Sequence, residues 1–153
     1  MAKNEVRTIM APMTEGYALL PNSVVAEILE YTAPEPFKQG PDWLLGELAW
    51  HGWQVPVISY LRMINEHADD PVTKKARILI IKTLGESTQV NYIGLLIQGL
   101  PKLKTVTEKT LVEKKVKKLP DAIFSQVVID DLSAYIPELS FLTSYVEEAA
   151  YGN

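Results

Sequence analysis

Short apolar runs of strand length recur along the chain from Val6 to Val146, separated by turn residues, and few extend far enough for a helix of several turns. The pattern predicts a mainly β protein. Val6 to Met10 and Tyr17 to Leu20 read as the first strands, joined by the turn Met13-Thr14-Glu15-Gly16. Asn22 or Ser23 can cap a short helix or turn that carries Val24, Val25, Ile28 and Leu29 on one side. The run from Thr32 to Asp42 holds three prolines and a glycine, so it sustains neither a ladder nor a helix. Too little chain precedes it to build a core, so it reads as a loop inside one domain.

Trp43 to Leu61 is the most informative segment. His51-Gly52 offers a two-residue loop with glycine second, which sets Trp50 opposite Trp53, Leu48 opposite Val55 and Gly46 opposite Val57. One face of that hairpin is almost wholly apolar. Pro56 cannot donate to a ladder, which predicts an edge or an irregular point of the sheet there. Tyr60 to Glu66 reads as a short helix and His67 to Lys75 as a polar loop.

Arg77 to Thr83 is a near-continuous apolar run, and Leu84-Gly85-Glu86-Ser87 turns the chain into a second strand, Val90 to Ile97. Pro101 ends that strand, a shorter one crosses Leu103 to Thr107, and another spans Ala122 to Asp130. An apolar stretch follows from Tyr135 to Leu142. Ser144 and Glu147 then have the spacing of a capping box for a short terminal helix.

Composition narrows the function classes. A chain of 153 residues, 47% hydrophobic and 22% charged, is the size of one globular domain, residues 1–153, which buries roughly 70% of its unfolded surface. A formal charge of -4 argues against nucleic acid as a partner, because phosphate binding needs a concentrated basic surface. The lysines between Lys114 and Lys118 read as ordinary solvated residues. Cysteine is absent, which removes disulfides, thiolate metal sites and thiol nucleophiles and fits a reducing cytoplasm. No apolar leader follows Met1, and runs such as Ile78 to Ile81 are far short of a membrane span, so neither secretion by a signal peptide nor membrane insertion is expected.

Catalytic chemistry finds little support in the motifs. Gly94 and Gly99 have the spacing of a phosphate-binding loop, but Leu100-Pro101 stands where that loop needs lysine and a hydroxyl residue. The two histidines, His51 and His67, have no metal-ligand spacing, and no Gly-x-Ser-x-Gly elbow occurs. Asp69-Asp70 and Asp130-Asp131 are adjacent carboxylates that point apart in an extended chain and read as turn and loop-edge residues. Trp43, Trp50 and Trp53 divide between core filling and a contact surface, with core the larger share. The expectation is a non-catalytic protein without cofactor or metal. The alternative is a small ligand-binding or enzymatic β-barrel whose site is assembled from residues distant in sequence.

Four segments, taken in order, resemble the CheW-like family, the adaptor domain of bacterial chemosensory arrays. They are Tyr17 to Ile28; Pro41 to Ile58, with Gly46, His51-Gly52 and Val55-Pro56-Val57; Arg77 to Ile81 followed by Tyr92 to Ile97; and Ile136 to Val146. The chain departs from the family pattern at His51, commonly arginine, and at Ser59 and Gln98, usually aspartates. Its length and divergence look most similar to the ChpC-type accessory members of type IV pilus systems, associated with twitching motility. The resemblance implies two small five-stranded SH3-like β-barrels sharing a core, with short helices. It also implies a two-component signalling scaffold that binds the regulatory domain of a CheA-type histidine kinase and the signalling tip of a methyl-accepting chemoreceptor. Carried over by position, the contact surface includes Val25, Glu27, Gly46, His51, Gly52 and Gly99. Histidine at 51 replaces a permanent five-donor fork with a weakly charged ring, so partner choice is expected to differ.

Overall fold

Two sheets of similar internal pattern make up the computed structural model, which describes residues 5–84, 89–116 and 118–152. The strands are β1 (Val6–Pro12), β2 (Tyr17–Pro21), β3 (Val25–Glu30), β4 (Leu44–Trp50), β5 (Trp53–Ile58), β6 (Arg77–Lys82), β7 (Tyr92–Ile97), β8 (Lys102–Val106), β9 (Val112–Glu113), β10 (Ile123–Ile129) and β11 (Leu132–Pro137). Two α-helices join them, α1 (Tyr60–Ile64) and α2 (Leu139–Tyr151). The first sheet runs β8-β1-β2-β11-β10-β9 and the second β3-β6-β7-β5-β4. In each, an antiparallel hairpin (β10–β11 or β4–β5) lies parallel to the next strand through its second member.

Both faces of the second sheet are apolar. In β6, Ile78 and Ile80 join one cluster with Val55 and Val57, while Leu79 and Ile81 join another with Ile58, Leu95, Leu142 and Val146. A flat sheet would leave one of these faces in water. The sheet curls instead, so that Leu29 from edge strand β3 packs in the same cluster as Leu48 and Trp50 from edge strand β4. The first sheet curls likewise, bringing Val106 of β8 against Val127 and Ile129 of β10. The largest cluster lies between the sheets and is completed by α2. The expected pair of barrels sharing a core is therefore present, with the two-residue β9 as a sixth strand on the first.

Most strands fall where the apolar runs put them, and the hairpin register Trp50↔Trp53, Leu48↔Val55, Gly46↔Val57 is as expected. The short helix or turn expected after Asn22 is a single 3-10 turn, Asn22–Val24, and residues 25–30, expected to continue it, form β3. A bulge between Val25 and Glu27 breaks the strand's alternation, sending Val25 to the central cluster and leaving Leu29 in the second barrel. Pro56 lies in β5, an interior strand, one residue before the parallel ladder with β7 begins at Val57↔Gly94. The sheet edge is β4. The terminal helix begins at Leu139, and Ser144 sits inside it, its hydroxyl donating to the carbonyls of Ser140 and Phe141. Most of the turn expected at Leu84 to Ser87 lies outside the described residues.

The loop before β4 covers that strand's edge. Glu35 and Glu47 exchange backbone hydrogen bonds at 2.9 Å in both directions. Gly46 makes the close approach possible, since a Cβ there would stand 2.5 Å from the Glu35 carbonyl oxygen. At Gly52, by contrast, an added Cβ would meet nothing within 4 Å, and glycine is needed only for its φ of +81°. We expect Gly46→Ala to lower unfolding free energy by about 3 kcal/mol and Gly52→Ala by about 1 kcal/mol in urea titrations. Equal losses would mean that the loop does not hold this edge.

Candidate functional site

The β4–β5 turn is built from two residues of positive φ, His51 at 46° and Gly52 at 81°, the combination that matches the twist of a tight hairpin. It projects from the rim of the second barrel. Facing it across the rim is β3, whose Glu27 accepts a hydrogen bond from the Trp50 indole Nε1 at 3.2 Å. The same carboxylate oxygen lies 3.3 Å from His51 Nε2. Edge strand and hairpin tip, 24 positions apart in sequence, are thus joined by side chains where no backbone ladder connects them.

Aromatic packing fixes the rim. Trp50 and Trp53 both meet Tyr92 edge-on, at centroid distances of 4.8 and 5.5 Å, and Trp50 also packs edge-on against His51. Much of this cluster remains open to solvent, with the His51 side chain 69% exposed, that of Glu27 44%, and Trp53 43%. A side-chain contact this exposed contributes about 0–1 kcal/mol, so it orders the rim more than it stabilises the fold. A rigid aromatic surface edged by a carboxylate and an imidazole suits contacts with another protein. The first barrel repeats the device with opposite polarity: Lys104 on edge strand β8 pairs with Asp130, which with Asp131 forms the positive-φ turn of the β10–β11 hairpin.

Of the sequence-derived contact residues, Glu27, His51 and Gly52 come together at this rim. Val25 lies at the β3 bulge, half-buried against the central cluster. Gly46 lies beneath Glu35. Gly99 follows β7 beside Pro12, where the Gln98 amide donates to the Pro12 carbonyl. Trp43 is core, 7% exposed and stacked on Tyr145 of α2, whereas Trp53 belongs to the surface.

Asp70 lies in the loop before β6, as expected, but is buried and bonded instead of standing at the loop's surface. It is 5% exposed, and its carboxylate accepts hydrogen bonds from Ser59 Oγ at 2.5 Å, Thr14 Oγ1 at 2.7 Å and Gln98 Nε2 at 3.1 Å. These donors come from the β5–α1 junction, the β1–β2 turn and the end of β7, so one carboxylate ties the two sheets together. Ser59 also caps α1 by accepting from the Arg62 amide. Ser59 and Gln98, the two departures at expected aspartate positions, therefore share a single acid supplied from the loop before β6. The absence of a carboxylate at both positions was the available signal that one stood elsewhere.

The C-terminal helix is fastened to the second sheet by Tyr151, whose hydroxyl donates to Glu47 while its ring meets Phe37 edge-on. Burial, followed by the hydrogen bond to Glu47 and its charge, pushes the Tyr151 hydroxyl far above its ordinary value and keeps the proton in place. Among the described residues, no three His, Cys, Asp or Glu side chains are grouped to hold a metal. No helix there is long and apolar enough to cross a membrane.

Comparison with known proteins agrees with this architecture. The family described as CheW-like domain matches residues 8–144. Among solved structures, the scaffolding protein TtCheW from Thermoanaerobacter tengcongensis superposes with a TM-score of 0.73 at 19% identity, over 97% of this chain and 95% of that one. At that identity the likeness is one of fold. A search of curated proteins finds no match.

Removing the shared acid leaves the buried Ser59 hydroxyl without its acceptor and takes one partner each from the half-buried Gln98 amide and the exposed Thr14 hydroxyl. Asp70→Ala is expected to lower unfolding free energy by about 2–3 kcal/mol with an unchanged urea m-value. A loss below about 0.5 kcal/mol would remove Asp70 from the junction between the sheets.

Proposed function

The chain belongs to the CheW-like domain family, and on that premise we propose that it is a chemosensory adaptor that couples chemoreceptors to a CheA-type histidine kinase. It acts without catalysis, in the cytoplasm, as one domain whose two barrels work together. Its partners are the kinase regulatory domain and the receptor signalling tip. A ChpC-type role in a type IV pilus system is the branch of the family we assign it to, on length and on the three departures His51, Ser59 and Gln98.

The observation that carries the reading is the exposed rim where Glu27 meets Trp50 and His51. Its polar atoms are held in place by packed aromatics, so little side-chain freedom is lost when a partner docks. Histidine at this point gives the pair a charge that depends on protonation, where arginine would be charged throughout. The remaining carried-over residues play supporting parts: Gly46 shapes the hairpin, Val25 sets the bulge beside Glu27, and Gly99 marks a second contact beyond β7.

His51→Glu sets two carboxylates against each other at the rim without disturbing the core. It is expected to weaken binding to the kinase regulatory domain or to the receptor tip about tenfold by calorimetry, roughly 1.4 kcal/mol. Unchanged affinity for both partners would contradict a contact at this rim.

A further inference from the structure

The second barrel closes without a backbone ladder between its edge strands β3 and β4, and side chains at its mouth make the join. Glu27 stands opposite Ile80 of β6, a residue of the barrel's inner cluster, so its side chain belongs to the inner face and reaches across the opening. One carboxylate oxygen takes both contacts, from the Trp50 indole at 3.2 Å and with His51 Nε2 at 3.3 Å. An indole N–H is a donor whatever the pH, and an imidazole is not. The neutral ring has a single N–H that either nitrogen can carry, whereas the protonated ring presents two donors and a positive charge.

Few groups at this mouth change charge near neutrality. Glu27 is the acid on β3, Lys82 of β6 is opposite Tyr92 and shares its face, and Tyr92 of β7 packs against Trp50 and Trp53. Glu47 of β4 belongs to the other face of the hairpin, where it accepts from Tyr151. Carboxylates, lysines and tyrosines ordinarily titrate outside the imidazole range. With two histidines and no cysteine in the chain, the side chains that ordinarily titrate near neutral pH reduce to His51 and His67. His67 sits elsewhere, beside Glu66 in the loop after α1.

We propose that His51 is a pH-sensitive latch on the second barrel, which when protonated draws Glu27 to the hairpin tip and closes the mouth. Protonation sets a positive charge beside a carboxylate, so the contribution to closure is complete at the acid end of the imidazole range and fades as pH rises through it. A contact this exposed changes the ratio of closed to open mouth about threefold, enough to tune docking and too little to unfold the domain. The closed mouth holds its polar atoms in place for a partner, so docking strengthens with closure. The inference deepens the adaptor reading and rests on it only where docking is concerned.

The test follows the His51 ring, the Trp50 indole and the Glu27 amide by NMR in the labelled full chain, from about pH 5.5 to about pH 8. All three are expected to titrate with one midpoint. Protection of the indole N–H, corrected for intrinsic exchange, should fall about threefold across the range. Glu27→Gln keeps an acceptor for Trp50 but removes the charge, and should lower the His51 midpoint. His51→Arg should hold the mouth closed at every pH, and His67→Gln should leave the response as it is. A His51 midpoint that Glu27→Gln does not move, or an indole response that persists in His51→Arg, would overturn the latch. Calorimetry with the kinase regulatory domain and the receptor tip forms a second arm. Affinity about threefold higher at about pH 6 than at about pH 8, with the difference lost in His51→Arg, is the expected result. Equal affinity at both pH values, or a difference that His51→Arg keeps, overturns control of docking by the latch. Binding to neither partner, with the titration as expected, overturns the adaptor reading and leaves the latch standing.

Discussion

A sheet with two apolar faces must be covered twice, and the rest of this structure depends on how that is done. In β6, consecutive residues Ile78, Leu79, Ile80 and Ile81 alternate between two clusters and all are buried. Curling covers one face of each sheet with itself. The second sheet and α2 cover the other, and α2 is held there by stacking of Tyr145 on Trp43 and by Tyr151 at Glu47. Curling also brings edge strands toward each other without a ladder between them. Side chains make that closure: Glu27 with Trp50 and His51 in one barrel, Lys104 with Asp130 in the other.

The candidate site follows from the same geometry. A closed barrel hides its interior, so the groups free to meet a partner are those at its rim, where tight positive-φ turns end the hairpins. Aromatic side chains that begin in the interior emerge there, which is why Trp50 is half-buried and Trp53 exposed while Trp43 is core. The Asp70 junction has a different task. It fixes how the two barrels sit against one another through Ser59, Thr14 and Gln98, and so sets the relation between any surfaces on the two sheets.

What the sequence revealed was governed by range. The β4–β5 register was legible because a two-residue turn fixes it locally, and β6 and β7 because their apolar runs are continuous. β3 was misread because a bulge against β6 breaks its alternation, so Val25 and Leu29 join different clusters and no simple strand pattern shows. The start of α2 was missed because Glu138 provides no side-chain cap, while Ser144 resembled one from inside the helix. Pairings between Asp70 and Thr14, 56 positions apart, or between Tyr151 and Glu47, 104 apart, leave no local pattern. Glu27, His51 and Gly52 were indicated by family position. Their meeting at one rim is a consequence of sheet closure that no spacing encodes.

We propose that partners of this CheW-like chain dock at the rim joining β3 to the β4–β5 turn. Hydrogen exchange of the chain alone and in complex with a kinase regulatory domain or a receptor signalling tip tests it most directly. Protection that rises at Glu27 and from His51 to Gln54, with the β9 and β10 amides unchanged, is the predicted result. Protection confined to other surfaces in both complexes would contradict it.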